Sequence, residues 1–303
     1  MNIYVGVTDK NWYKQLRAQD ADEVNFWNPG GAPFRALKEN ELFLFKLHYP
    51  DNYIVGGGFF VSYSLLPLFL AWQAFGEKNG TRSLAELNQR INKYRNRTNI
   101  DSNAQIGCTI LTEPFWLNEG DWISAPGWSP NIVKGKSYSK DTVVGKRLYD
   151  QILERIPRSV VNNSANPSVD PRYTESITKH RLGQGGFRVV VTDAYQRRCA
   201  ITGEKTLPVL EAAHIRPYAD NGPHSVTNGL LLKSDFHTLF DDGYITVTND
   251  YPVEVSSRLK DDYGNGKDYY KFHGHRLLIL PEHVQQLPDR GYLEWHNENI
   301  YLG

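Results

Sequence analysis

Four side chains in one short stretch have the types and spacing for hydrolytic chemistry. His214 lies at the end of an apolar, strand-like run from Leu207 to Ile215. Asn228 follows fourteen residues later, His237 nine beyond that, and Asp241 four beyond His237. On a helix, a spacing of four places two side chains on one face, so His237 and Asp241 can reach one divalent ion. A neutral imidazole such as His214 can take a proton from water as it attacks phosphorus. A metal ion on the far side neutralises the crowded phosphate and stabilises the departing 3′-oxygen. An asparagine amide such as that of Asn228 can fix the loop that carries the base. Together these residues make the set that one-metal phosphodiester hydrolysis requires.

The intervening residues suggest how the set is held. Pro217 to Pro223 carries turn residues and reads as a loop. Asn228 to Leu232 reads as a second strand or turn. Ser234 is placed to cap a short helix, Asp235 to Asp242, stopped by Gly243. The order is strand, loop, strand, helix. His224 reads as a polar loop residue and Asp235 as charge at a helix start. Helical phase makes Asp242 a poorer ligand than Asp241.

At this point the stretch resembles the His-Asn-His nucleases of the ββα-metal fold. The words "RCAITG…LEAAHIRPY…NGLLL…DFHTLFDDG" are similar to a branch found in predicted bacterial restriction endonucleases. The resemblance covers roughly 181–247. It implies a base histidine, an asparagine and a metal-binding histidine in that order, with a further ligand one helical turn later. His214, Asn228, His237 and Asp241 occupy those slots. Two departures stand out. Many members place a metal-binding Asp or His directly before the base, where this chain has Ala213. Strand alternation puts Glu211 on the face of Ala213 rather than that of His214. Many members also hold a structural zinc between two CxxC pairs; the lone Cys199 here predicts none. The implied cofactor is one divalent ion per site, Mg2+, Mn2+ or similar.

Bulk properties set the frame. The chain has 303 residues, 40% hydrophobic and 22% charged, which is ordinary globular composition with room for two domains. Formal net charge is zero, so no global field attracts nucleic acid. The charge is nevertheless uneven. Between Arg172 and Arg198 six basic residues stand against Glu175 and Asp193 alone. Arg181, Arg188 and Arg216 are the candidate phosphate contacts. Two cysteines exclude a disulfide scaffold and suit a reducing cytoplasm, where the chain is expected. The N-terminus lacks a signal-peptide pattern, and the most apolar stretch, Phe59 to Phe75, is too short and polar to span a bilayer.

The first half carries strand-like runs, Ile3 to Val7, Glu41 to Leu47, Tyr53 to Phe60 and Ile106 to Leu111. The glycines Gly56 to Gly58 suggest a bulge or a close backbone approach. Helices are expected at Asn11 to Gln19, Leu66 to Gly76, Ser83 to Tyr94 and Asp141 to Ile156. Val160 to Tyr173 is polar and rich in Asn, Ser and Pro, a linker composition. The resulting organisation is α+β: a first domain over 1–158, a linker over 159–174, and a ββα-metal nuclease domain over 175–303.

The first domain loosely resembles PUA-superfamily barrels, which include the EVE, YTH and SRA-like readers of modified bases. That resemblance implies a β-barrel with flanking helices and an aromatic pocket for a flipped 5-methyl- or 5-hydroxymethylcytosine. Trp27, Asn28, Trp116 and Trp122 are the pocket candidates, by ring stacking and amide hydrogen bonding. Trp12, Trp72, Phe43, Phe45, Phe59 and Phe60 read as core. The implied partner is double-stranded DNA bearing modified cytosine, cut by an enzyme that acts as a homodimer if two strands must be broken. Two other readings stand beside this one. The first domain can instead sense phosphorothioate DNA or a nucleotide, or the nuclease fold can be an inactive docking module. The intact His214, Asn228 and His237 argue against the inactive module.

Overall fold

The computed structural model describes residues 1–95, 104–156 and 182–303. It divides into two compact units, 1–186 and 187–303. The expected linker, 159–174, and Arg181 lie outside the described residues.

The N-terminal unit opens with β1 (Asn2–Thr8) and α1 (Lys10–Arg17), which Asp9 caps by accepting from the Asn11 and Trp12 amides. Then come β2 (Glu23–Asn28), β3 (Leu42–Leu47), β4 (Tyr53–Pro67), α2 (Leu68–Phe75), α3 (Leu84–Arg95), β5 (Gln105–Trp116), β6 (Ile123–Ser124), β7 (Gly135–Ser139) and α4 (Val143–Leu153). The strands form one sheet in the order β2-β5-β4-β3-β1-β7, with β6 on β4. β1 and β3 run parallel and every other pairing is antiparallel. Alternation sorts the side chains into two cores. Ile3, Val5, Leu42 and Leu44 pack with Leu148 and Ile152 of α4, while Phe43, Phe45 and Leu47 join Trp12, Tyr13 and Leu16 of α1.

Several expectations are refined by this arrangement. Among the described residues no pairing joins β2 to β7, so the sheet is an open path and not a closed barrel. β4 runs past Phe60 to Pro67, with register shifts at Gly57/Phe59 and Phe60/Ser62. The glycine run serves close approach as well: a Cβ on Gly56 would stand 2.3 Å from the Phe115 carbonyl oxygen. On α4 the helical spacing of Val144, Leu148 and Ile152 predicts one buried face, but Val144 is exposed and Gly145 takes the inward position.

The C-terminal unit begins inside α5 (Gln184–Ala194) and continues with β8 (Leu210–His214), β9 (Gly229–Lys233), α6 (Ser234–Asp241), β10 (Ile245–Val247), β11 (Val253–Val255), α7 (Arg258–Tyr263), α8 (Lys267–Tyr270) and α9 (Arg290–Asn299). β8 and β9 pair antiparallel, from Leu210↔Lys233 to His214↔Gly229, and α6 follows β9 directly. The helix starts one residue before the expected position, because Ser234 is already helical and does not cap it. It stops at Gly243, whose φ of +77° suits a residue without a Cβ. Phe236 and Phe240 of α6 enter a core that includes Leu210, Ala213, Leu230 to Leu232 and Leu293.

Among the described residues no helix is long and apolar enough to cross a membrane.

Candidate active site

Burying Phe236 and Phe240 fixes the phase of α6, and His237 and Asp241 therefore share a less buried face. His237 Nε2 lies 3.3 Å from Asp241 Oδ2. His237 Nδ1 lies 2.7 Å from Glu211 Oε2 on β8. Glu211 is thus beside the helix, on the strand face that alternation assigned to Ala213. Asp242, the residue after the helix, makes no ion pair with His237 among the described residues.

This donor set is chemically suited to a divalent ion. Two donors bound at about 2.1 Å in a tetrahedral or octahedral shell stand roughly 3.0–3.4 Å apart, which matches the His237–Asp241 spacing. Glu211 occupies the other ring nitrogen, as a carboxylate does when it fixes the tautomer and orientation of a metal-binding histidine. Among the described residues no group of three or more His, Cys, Asp or Glu side chains is assembled to hold a metal by itself. His237 and Asp241 could supply two donors, with Glu211 placed to orient the His237 ring. Burial lifts the Asp241 carboxyl above its ordinary value; His237 opposes that shift, and Asp242 and Glu211 add to it.

His214 closes β8 opposite Gly229. A Cβ on Gly229 would stand 2.5 Å from Val191, so glycine lets α5 lie close beneath the strand. Phe187 of α5 stacks on the His214 ring with centroids 3.9 Å apart and planes 13° apart. This burial, with His224 and His237 nearby, pushes the His214 pKa down to about 4. The ring is neutral at pH 7, the form a general base needs.

Asn228 is fully buried, and its amide spans the loop after the base. Its Oδ1 accepts from the Arg216 amide at 2.9 Å. Its Nδ2 donates to the Arg216 and Pro223 carbonyls at 2.9 and 3.0 Å. Asn228→Ala strands one backbone donor and two acceptors, each costing about 1–3 kcal/mol if buried unsatisfied. A clear fall in melting temperature is expected by calorimetry, with cleavage lost before the fold is.

His224, which the sequence marked only as a polar loop residue, lies at the centre of the site. Its Nδ1 is 2.9 Å from His214 Nε2, and Tyr218 stacks on it with planes 6° apart. The turn residues before it carry the signal that could have found it. Asn221 has a φ of 65°, and a Cβ on Gly222 would stand 1.8 Å from the Arg216 carbonyl oxygen. The loop therefore doubles back on the end of β8.

The remaining candidates are placed as follows. Arg216 packs over Trp295, and its Nε donates to the Asp220 carbonyl at 2.7 Å. Arg188 is half-buried on α5. In the N-terminal unit, Trp27 and Asn28 line a cavity of about 420 Å3 with Asp9, Phe26, Phe34 and Tyr94. Trp116 and Trp122 do not line it. Trp116 packs against Trp12, Tyr13 and Phe45, and Trp122 against Tyr13 and Tyr53, as parts of the aromatic core. Trp12 is core as expected and also reaches the cavity wall.

One support of α6 has a pH signature. His296 on α9 is 2% exposed and stacks on Phe240 at 3.8 Å. Its Nε2 donates to the Phe240 carbonyl, and its Nδ1 accepts from the Thr246 hydroxyl. Burial pushes its pKa down to about 4, while the Phe240 hydrogen bond opposes the shift. Because the folded value lies below the free value of about 6.5, the unfolded chain binds a proton that the fold refuses. Stability is therefore full above pH 6.5 and falls as pH drops from about 6.5 to about 4, by up to about 3 kcal/mol. Denaturant midpoints across that range should fall in the native protein and fall less in His296→Gln.

The HNH endonuclease family model matches residues 199–248, a span that holds His214, Asn228, His237 and Asp241. No curated protein sequence is significantly similar to the chain. Among solved structures, ASCH from Zymomonas mobilis is 9% identical over 51% of this chain and 96% of its own, with a TM-score of 0.36. A modification-dependent restriction endonuclease, TagI, is 14% identical over 93% of this chain and 76% of its own, with a TM-score of 0.29. The C-terminal unit carries an HNH-type endonuclease domain.

Proposed function

We propose that the chain is a metal-dependent DNA endonuclease of the restriction type, whose N-terminal unit selects DNA carrying 5-methyl- or 5-hydroxymethylcytosine. The observation that carries the nuclease reading is the convergence of β8, β9 and α6. These elements place a neutral His214, the Asn228 clamp and the His237–Asp241 pair within one ββα unit. His214 takes the proton of a water as its oxygen attacks phosphorus, and the bond to the 3′-oxygen breaks. Asn228 keeps the loop, and through it the base, in place. His237 and Asp241 would hold a divalent ion, with Glu211 orienting the His237 ring. The chemistry such an ion would supply is neutralisation of phosphate charge and stabilisation of the leaving oxygen. Arg188 and Arg216 contact the DNA backbone and set register rather than sequence.

Selection is assigned to the cavity at Trp27 and Asn28. Its volume of about 420 Å3 lies within the range of small-ligand sites. Its wall includes the rings of Phe26, Trp27, Phe34 and Tyr94, which suits a base stacked out of the duplex. Trp27 is anchored through Nε1 to the Asn79 carbonyl at 2.9 Å, so its ring is held and not free to collapse inward. Incubation with Mg2+, Mn2+ or Ni2+ and plasmids bearing cytosine, 5-methylcytosine or 5-hydroxymethylcytosine tests both parts. Cutting confined to modified plasmid is expected. Equal cutting of all three removes the selectivity reading and leaves the nuclease one.

A further inference from the structure

We propose that His224 is a positioning residue that holds His214 in the one tautomer able to act as a base. The inference rests on His214 being that base. Only one proton can lie between His214 Nε2 and His224 Nδ1, which are 2.9 Å apart. If His224 donates it, His214 must carry its own proton on Nδ1. Both His214 nitrogens are then occupied, and no lone pair faces water. If His214 donates from Nε2, its Nδ1 lone pair is open, and His224 carries its proton on Nε2. Catalysis requires the second arrangement, so His224 must be the acceptor.

The surroundings fix this pairing in space. Phe187 holds the plane of His214 and Tyr218 holds the plane of His224, at 13° and 6°. Asn228 Nδ2 bonds the Pro223 carbonyl, one residue before His224, while Asn228 Oδ1 bonds the Arg216 amide, two residues after His214. A single buried amide thus registers both ends of the dyad. During reaction the water proton goes to His214 Nδ1. The imidazolium keeps its Nε2 proton and its hydrogen bond to His224, so no second transfer is needed. His224 does for His214 what the orienting carboxylate does in a Ser-His-Asp triad, where loss of the correct tautomer costs about 10⁴-fold in kcat. A neutral acceptor sets the tautomer with less charge stabilisation, so His224→Leu is expected to lower kcat by about 10–100-fold with KM little changed.

The test is a long-range 1H–15N spectrum of the metal-free, histidine-labelled protein near neutral pH, assigned with single variants. The expected spectrum has His214 protonated at Nε2 and bare at Nδ1. His224→Leu should shift His214 toward the Nδ1-protonated form. His224→Gln, whose Oε1 also accepts, should restore both the tautomer and most of kcat. A native spectrum with the His214 proton on Nδ1 overturns the proposal whatever the activities, as does full kcat in a folded His224→Leu. Unaltered cleavage by His214→Ala overturns the base assignment beneath it, a result separable from the spectrum.

Discussion

His214→Ala is expected to slow phosphodiester cleavage by about 10²–10⁴-fold, the usual contribution of a positioned general base. Affinity for DNA should change little, because the proposed phosphate contacts and base-reading cavity involve other residues. Three features make this substitution informative. The His214 ring lies against Phe187, so alanine removes packing but no buried salt bridge. The position is at a strand end, so the β8–β9 pairing survives. The depressed pKa, near 4, also means that native His214 is in its base form throughout the neutral range. Its own acid limb should therefore fall well below the pH 6.5 of a free imidazole, since a lowered value moves protonation to more acidic solution. Single-turnover rates on a cleavable duplex, with affinity measured separately by anisotropy, check both statements. A variant that cuts at the native rate would remove His214 from the chemistry. A variant that no longer binds would show the ring to be part of the DNA surface instead.

The parts of this site that could be read from sequence are those encoded by local spacing. His237 and Asp241 share a face because Phe236 and Phe240, at the same interval, must be buried, and helical period does the rest. His214 and Asn228 are found by order and by the flanking words. Glu211 and His224 are harder for a physical reason: their importance lies in contacts between elements. Alternation correctly places Glu211 with Ala213. Recognising that this face looks toward His237 requires the path of α6 over the strand. His224 reaches His214 only because Asn221 and Gly222 turn the loop back, and turn residues announce a reversal without naming its target. In the first half, four of the seven strands, β1, β3, β4 and β5, are readable from the sequence, whereas β2, β6 and β7 and the closure are not. Seven strands in the order found leave β2 and β7 unpaired with each other among the described residues, a property of register and twist spread over the whole sheet. Trp116 and Trp122 show the limit of composition, since a tryptophan in a strand-and-loop segment can serve a pocket or a core. Only packing against Tyr13 assigned both to the core.

The proposed metal pair gives the other large effect, and its substitutions separate the carboxylates of Asp241, Asp242 and Glu211. His237→Ala removes one of the two proposed donors, so calorimetric titration with Mn2+ should show binding lost or weakened beyond measurement. Cleavage should fall with it. Asp241→Ala should behave in the same way. Asp242→Ala should be close to native, because Asp242 lies one residue past the helix and off the His237 face. Glu211→Gln is the discriminating substitution. If Glu211 acts by accepting a hydrogen bond from His237 Nδ1–H, glutamine keeps an acceptor there and affinity drops by only about 10–100-fold, as for other outer carboxylates around metal-bound histidines. If Glu211 instead binds the ion, the loss should match that of Asp241→Ala. Acid weakens binding in every case, because protons compete for the imidazole and carboxylates. The raised Asp241 value brings that competition to higher pH than an ordinary aspartate would. An Asp242→Ala loss exceeding that of Asp241→Ala would reverse the assigned helix phase and, with it, the identity of the ligand pair.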